Sequence, residues 1–216
     1  MTVIRTALLA GAAVLALAGT ANAQEFTPKH KGLIMLNVRA TDVSPDTSDA
    51  ITTAAGAATG LHVDVKDDVV PTIGLSYFLT DHVAIEAIAG TSKHTIKAKG
   101  AGVDVAVHDT WVLPPVVSLQ YHFAPDAKFS PYVGAGVNYM IFYSGKDKNG
   151  FNVKLKDGFG YALQAGADIA TKGPWSVNVD VKKVFFETDA KINGGTLKSK
   201  VNLDPWVVSA GFGYKF

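Results

Sequence analysis

Cysteine is absent from the 216 residues, which excludes disulfide staples, thiolate metal sites and thiol catalysis. A charge excess is missing too. Lys and Arg number 20 against 19 Asp and Glu, a formal net charge of +1, so no basic face is gathered for a phosphate backbone and nucleic acid is not an expected partner. Long apolar runs are also scarce. Residues 7–18 form one of about a dozen residues, short of the roughly 20 that a spanning helix requires, and none of that length follows. With Arg5 before it and Ala21-Asn22-Ala23 after it, this run reads as a cleavable secretory signal peptide over residues 1–23, leaving residues 24–216 as a single domain. If that domain crosses a membrane, strands must do it.

What the chain has in quantity is period-two alternation, studded with many of its 21 glycines. In the closing stretch Trp206, Val208, Ala210, Phe212, Tyr214 and Phe216 share one face, and Ser209, Gly211, Gly213 and Lys215 the other. Seven earlier segments read alike: Lys31 to Asp42, Val69 to Thr80, His82 to Thr95, Thr110 to Ala124, Pro131 to Ser144, Leu155 to Ala170 and Trp175 to Thr188. Short turns at Thr80-Asp81, at Pro125 to Ser130 and at Thr171 to Pro174 alternate with four longer connections. Val43 to Asp67 reads as a large loop holding at most one helical turn. Ile96 to Asp109, Gly145 to Lys154 and Asp189 to Asn202 read as polar loops.

Eight strands with short turns at one end and long loops at the other fit an antiparallel transmembrane β-barrel, with the loops extracellular and the turns periplasmic. Closure leaves no unpaired edge in hydrocarbon. The apolar face carries aromatics near strand ends, among them Tyr77, Tyr121, Phe123, Trp175, Trp206, Tyr214 and Phe216, as an interfacial girdle needs. The other face mixes small residues with Arg39, Glu86, Gln120, His122, Gln164, Asp168, Asp180 and Lys182. The interior of an eight-stranded barrel is just wide enough for side chains, so these are the expected polar network of the lumen. Pro114-Pro115 removes two donors from the wall, and pairing with one neighbour should fail there.

The segments Gly74-Leu75-Ser76-Tyr77-Phe78 with Thr80-Asp81, Leu113-Pro114-Pro115 with Leu119-Gln120-Tyr121-His122-Phe123, Pro131 to Tyr139, Gln164 to Asp168, and Leu203 to Val207 with Gly213 to Phe216 together resemble the outer membrane protein W (OmpW) family over nearly the whole mature chain. The resemblance implies an eight-stranded barrel of the bacterial outer membrane with a narrow passage for small hydrophobic molecules, released across or sideways into the membrane. It makes Leu113, Pro114, Pro115 and Phe159 the candidate gap and passage. Phe159 stands where the family favours Trp, although strand parity points it outward. The last strand, with Trp206, Phe212, Tyr214 and Phe216, is the expected signal to the barrel assembly machinery, and outer-membrane lipid and a small hydrophobic ligand are the expected partners.

Other readings carry less of the sequence. His62 with Asp64, Asp67 and Asp68 suits a solvated acidic loop as well as a cation site, and His94 and His108 could meet at the base of a loop. Ser118 and His122 share a face but lie roughly 13 Å apart on a strand, too far for a nucleophile and its base. No enzyme and no cofactor is expected. A structural or adhesive barrel acting through its loops is the alternative function, and a soluble lipocalin-like carrier a further rival.

Overall fold

Residues that alternate between lipid and lumen favour extended backbone, and the computed structural model, which describes residues 26–100 and 102–216, is built almost wholly of strands. The expected signal peptide lies outside the described residues. In chain order the strands are β1 (Ile34–Ser44), β2 (Ala50–Thr53), β3 (Ala58–Val65), β4 (Asp68–Phe78), β5 (Val83–Gly90), β6 (Ser92–Gly100), β7 (Val103–Leu113), β8 (Val116–His122), β9 (Phe129–Asp147), β10 (Val153–Lys154), β11 (Gly158–Ala170), β12 (Trp175–Phe185), β13 (Glu187–Ile192), β14 (Leu197–Asn202) and β15 (Trp206–Lys215).

Eight of them close a ring. β1 pairs β4, β4 pairs β5, β5 pairs β8, β8 pairs β9, β9 pairs β11, β11 pairs β12, β12 pairs β15, and β15 returns to β1, every pair antiparallel. The closing ladder sets Leu36 opposite Tyr214 and Ser44 opposite Trp206. Outward positions are large and apolar, including Ile73 (57% exposed), Val137 (60%), Leu163 (52%) and Phe212 (63%). An apolar band of this extent is untenable in water and suited to hydrocarbon.

The long connections differ from the sequence expectation: they are strands. β2, β3, β6, β7, β10, β13 and β14 form with the upper half of β9 a second sheet, in the order β10-β13-β14-β2-β3-β6-β7-β9, above the ring. The expected helical turn between Val43 and Asp67 is replaced by β2 and β3. Here the polarity is inverted. Ile51, Val63, Ile96, Val107, Val153, Ile192 and Val201 pack together on the inside, while lysines and carboxylates face out. Water rather than lipid surrounds this part, so the face that must be hidden changes sides.

Residues 26–33 cross the short-turn end. Thr27 N donates to Gly173 O at 2.9 Å and Lys29 N to Pro125 O at 2.9 Å, which leads the Lys29 side chain into the lumen.

Candidate functional site

In the lower lumen, inward positions of four other ring strands, β1, β8, β11 and β12, converge on Glu86 of β5, which is fully buried. Arg39 Nη2 donates to Glu86 Oε1 at 2.7 Å, Gln120 Nε2 to Oε2 at 3.0 Å and Gln164 Nε2 to Oε2 at 3.4 Å. Lys182 Nζ lies 3.5 Å from the same carboxylate and pairs with Asp180. Tyr132 donates its hydroxyl to Asp180 Oδ2 at 2.8 Å. Asn178 joins the halves, donating from Nδ2 to Asp168 Oδ1 at 2.8 Å and accepting from Arg39 Nε at 2.5 Å.

Lys29 completes the lower end. Its ammonium contacts Asp168 Oδ2 at 2.7 Å, Ser130 Oγ at 2.8 Å and His122 Nδ1 at 2.8 Å, and His122 Nε2 is 3.2 Å from Gln120 Oε1. All eight residues expected to line the lumen thus join one network. Lys29, Tyr132, Asn178 and Ser130 belong to it as well and were not foreseen. The ions Lys29, Arg39 and Lys182 are matched by Glu86, Asp168 and Asp180, and the buried ammonium of Lys215 at the foot of the lumen is held by the Thr27 carbonyl. Buried ions survive only when so matched or hydrogen-bonded.

Small residues make this filling possible. A Cβ on Gly74 would lie 2.8 Å from Arg39 Nη1, and one on Gly166 would lie 2.5 Å from the ring of Tyr132. Both glycines leave room for the large polar side chain beside them.

Above the network the interior changes character. A cavity of about 100 Å³ is lined by Ile88, Val112, Val116, Met140, Phe142 and Val184, continues up to Ile51, Val63 and Ile192, and has Thr41, Thr72 and Lys182 at its floor. Its size is of the order of the roughly 150 Å³ apolar cavity that takes up benzene.

The wall beside this chamber is interrupted. The β5–β8 ladder ends at Ile88 opposite Val116, and the β6–β7 ladder resumes at Ser92 opposite Val112. Ala89, Gly90 and Thr91 therefore stand against Leu113, Pro114 and Pro115 without a ladder pair. The break is one-sided, because Tyr139 N donates to Pro115 O at 3.1 Å and Leu113 is opposite Ile141. Proline has no N–H to give the other neighbour. Ala89, Gly90 and Pro114 line the chamber at this level.

The remaining expected site residues fall elsewhere. Phe159 is 80% exposed on the outer face, against Tyr139 at 4.6 Å between ring centres, and does not line the chamber. Trp206, Phe212, Tyr214 and Phe216 lie along the outer face of β15 and just past it; Tyr214 packs edge-on to Phe216 at 4.8 Å and to Trp175 at 4.9 Å.

The polar residues named as rival sites are held apart. Asp64 pairs with Lys99 at 2.8 Å, and Asp68 Oδ2 accepts the Lys93 N–H at 2.7 Å. His94 is held by Ser92 and the Lys66 carbonyl, whereas His108 contacts Asp147 at 2.8 Å. Ser118 and His122 are not joined, since the hydrogen bonds of His122 go to Gln120 and Lys29.

Comparison with known proteins agrees with this geometry. The model of the OmpW family matches residues 30–216. An uncharacterized outer-membrane protein, y4mB, of Sinorhizobium fredii is 43% identical over 161 residues, covering 73% of this chain and 70% of that protein. Outer membrane protein W of Escherichia coli is 36% identical over 151 residues, 65% of this chain and 70% of that protein. Among solved structures, the outer membrane protein OprG from Pseudomonas aeruginosa superposes with a TM-score of 0.83 at 29% identity, covering 89% of this chain and 99% of that one.

Proposed function

The chain belongs to the OmpW family of the bacterial outer membrane, and from that premise we propose that it passes small hydrophobic molecules from the cell exterior into the membrane through the side of the barrel. The observation that carries this reading is the position of the break at Pro114-Pro115, level with an apolar chamber and above a polar plug. A hydrophobic solute in the chamber has two ways onward. Downward it must displace Glu86, Arg39 and Lys182 from one another, which exposes buried ions at a cost of several kcal/mol. Sideways it meets Ala89, Gly90 and Pro114, where no ladder bonds have to be broken, and beyond them lies hydrocarbon. The lateral route is the downhill one for an apolar molecule.

Outer-membrane lipid is the medium in which the barrel works. The aromatic outer face of β15, with Trp206, Phe212 and Tyr214 and with Phe216 just past it, is what the barrel assembly machinery would read, and Phe216→Ala should slow membrane insertion. The lateral route is tested by Pro114→Val/Pro115→Val, which supplies an N–H donor at residue 114 on the side of β5 and β6 and one at residue 115 on the side of β9. Uptake of a hydrocarbon probe such as naphthalene into proteoliposomes should fall several-fold, while the folded barrel is unchanged in cold-electrophoresis mobility. Unaltered uptake in the paired variant would rule the lateral exit out, and an ion conductance of porin size in planar bilayers would rule out the plug.

A further inference from the structure

The outer face of the extracellular sheet carries its charges in an ordered way. Over much of it each lysine stands beside a carboxylate: Lys97 Nζ is 2.7 Å from Asp104 Oδ1, Lys99 Nζ 2.8 Å from Asp64 Oδ2, and Lys200 Nζ 2.7 Å from Glu187 Oε1. One row departs from this. Lys154 of β10 is directly opposite Lys191 of β13, Lys191 is directly opposite Lys198 of β14, and Lys198 faces Thr52 of β2.

All three lysines are exposed, and their neighbours Val153, Ala190, Ile192 and Ser199 are buried, so their side chains leave the same side of the sheet. Neighbouring strands are about 4.8 Å apart, which places three ammonium-bearing side chains across roughly 10 Å. Ion pairs within 4.0 Å among the described residues use other lysines and not these three. Like charges directly opposite one another weaken the pairing of their strands. The row therefore works against the sheet that displays it, unless a polyanion spans it.

We propose that this row binds the phosphate groups on the core saccharides of the lipopolysaccharide surrounding the barrel. Height selects the core over the lipid end of the same molecule. Phe185, stacked on Tyr161 at 4.7 Å in the outward aromatics, closes β12 at the top of the ring, and Lys191 lies six residues further on, about 20 Å along an extended chain. Phosphates at the lipid boundary are too low to reach the row. Those on core sugars stand at its level. Three separate ammonium groups suit several phosphates on one saccharide, each lysine acting as a point charge.

The test uses the full chain in detergent micelles. Affinity is measured for lipopolysaccharide with a phosphorylated core, for the same material with the core phosphates removed, and for a deep-rough form lacking the outer sugars. The wild type should bind the first roughly tenfold or more tighter than the other two, given the contribution of each lysine near an anionic surface. Lys154→Gln/Lys191→Gln/Lys198→Gln should abolish that difference and melt no lower than wild type in the absence of lipopolysaccharide. The corresponding triple Arg variant should keep the preference, so the proposal stays decidable even if the Gln variant folds poorly. Equal affinity of the wild type for all three forms, undiminished preference in the Gln variant, or displacement by inorganic phosphate at millimolar concentration would each overturn it.

Discussion

At the level of single residues, Glu86 is the group on which most of the lumen depends. It accepts hydrogen bonds from Arg39, Gln120 and Gln164 and faces Lys182. Glu86→Leu leaves two cations around an apolar side chain, and breaking a buried pair in this way costs about 3–5 kcal/mol. Urea unfolding in micelles should register that loss, and Arg39→Met in the same background should recover part of it; a loss below about 1 kcal/mol would mean that water already screens the network.

A second residue, Asp147, fastens the turn between β9 and β10. Its carboxylate accepts the Val153 N–H at 2.9 Å and lies against His108 and Asn152. These hydrogen bonds, that from the Val153 backbone foremost, hold its pKa below the ordinary carboxylate value. For a lowered carboxylate the stabilisation is complete above the unfolded value of about 3.9 and is lost as pH falls through the lower folded one. The protection factor of the Val153 amide should accordingly be high at neutral pH, fall on acidification as the Asp147 carboxylate is protonated, and be low throughout in Asp147→Ala.

The polar members of the lumen were legible because each occupies the inward phase of a strand whose outward phase is apolar. Their partners were not. Arg39 and Glu86 are 47 positions apart and Lys29 and Asp168 are 139 apart, and alternation says nothing about which strands meet across a closed ring. Lys29 escaped notice because it precedes the first strand, outside any alternating pattern.

Among the elements, those in lipid announce themselves and those above it do not. β8 and β15 keep an unbroken period of two because hydrocarbon on one side and packed polar groups on the other punish every slip. β6 alternates in burial too, but its inward positions Ser92 and His94 are polar, the bulge across from Ile96 and Lys97 puts an extra residue, Val107, on β7, and its outward lysines give the composition of a loop. The same holds for β13 and β14, joined by a tight turn at Asn193–Gly195 with Gly194 at φ 70°.

The two sheets should come apart under mutation. Ile192 is 4% exposed in the apolar packing of the upper sheet, and Ile192→Asp puts an unpaired carboxylate there. Trypsin should then cut at Lys191, Lys198 and Lys200, while the ring below keeps its compact mobility in cold electrophoresis. Loss of that mobility would mean that the ring does not fold independently of the sheet above it.

For the molecule as a whole, the inversion of polarity between ring and extracellular sheet locates the membrane. Outward residues on β12 are aromatic or aliphatic from Trp175 through Val181, then come Lys183, whose ammonium lies 5.0 Å from the centre of the Trp206 ring, and Phe185, and from Glu187 onward they are charged, so the boundary falls within the last two outward positions of β12. A charge introduced on the outer face should cost according to depth. Leu163, at the middle of β11 and 52% exposed, should lose about 2–4 kcal/mol on Leu163→Arg, and Phe129, 50% exposed at the foot of β9, about 0–1 kcal/mol on Phe129→Arg. Equilibrium unfolding in lipid vesicles measures both. Equal costs at the two positions would mean that the outer face meets a uniform solvent. Because the sequence contains no cysteine, the same axis can be sampled with single labels. A nitroxide at Phe212→Cys should collide readily with oxygen and rarely with a water-soluble nickel complex. One at Lys191→Cys should show the reverse. A lateral exit at Pro114 requires hydrocarbon at that height, so the depth at which the two accessibilities cross decides whether a solute leaving the chamber enters the bilayer or the headgroup layer above it.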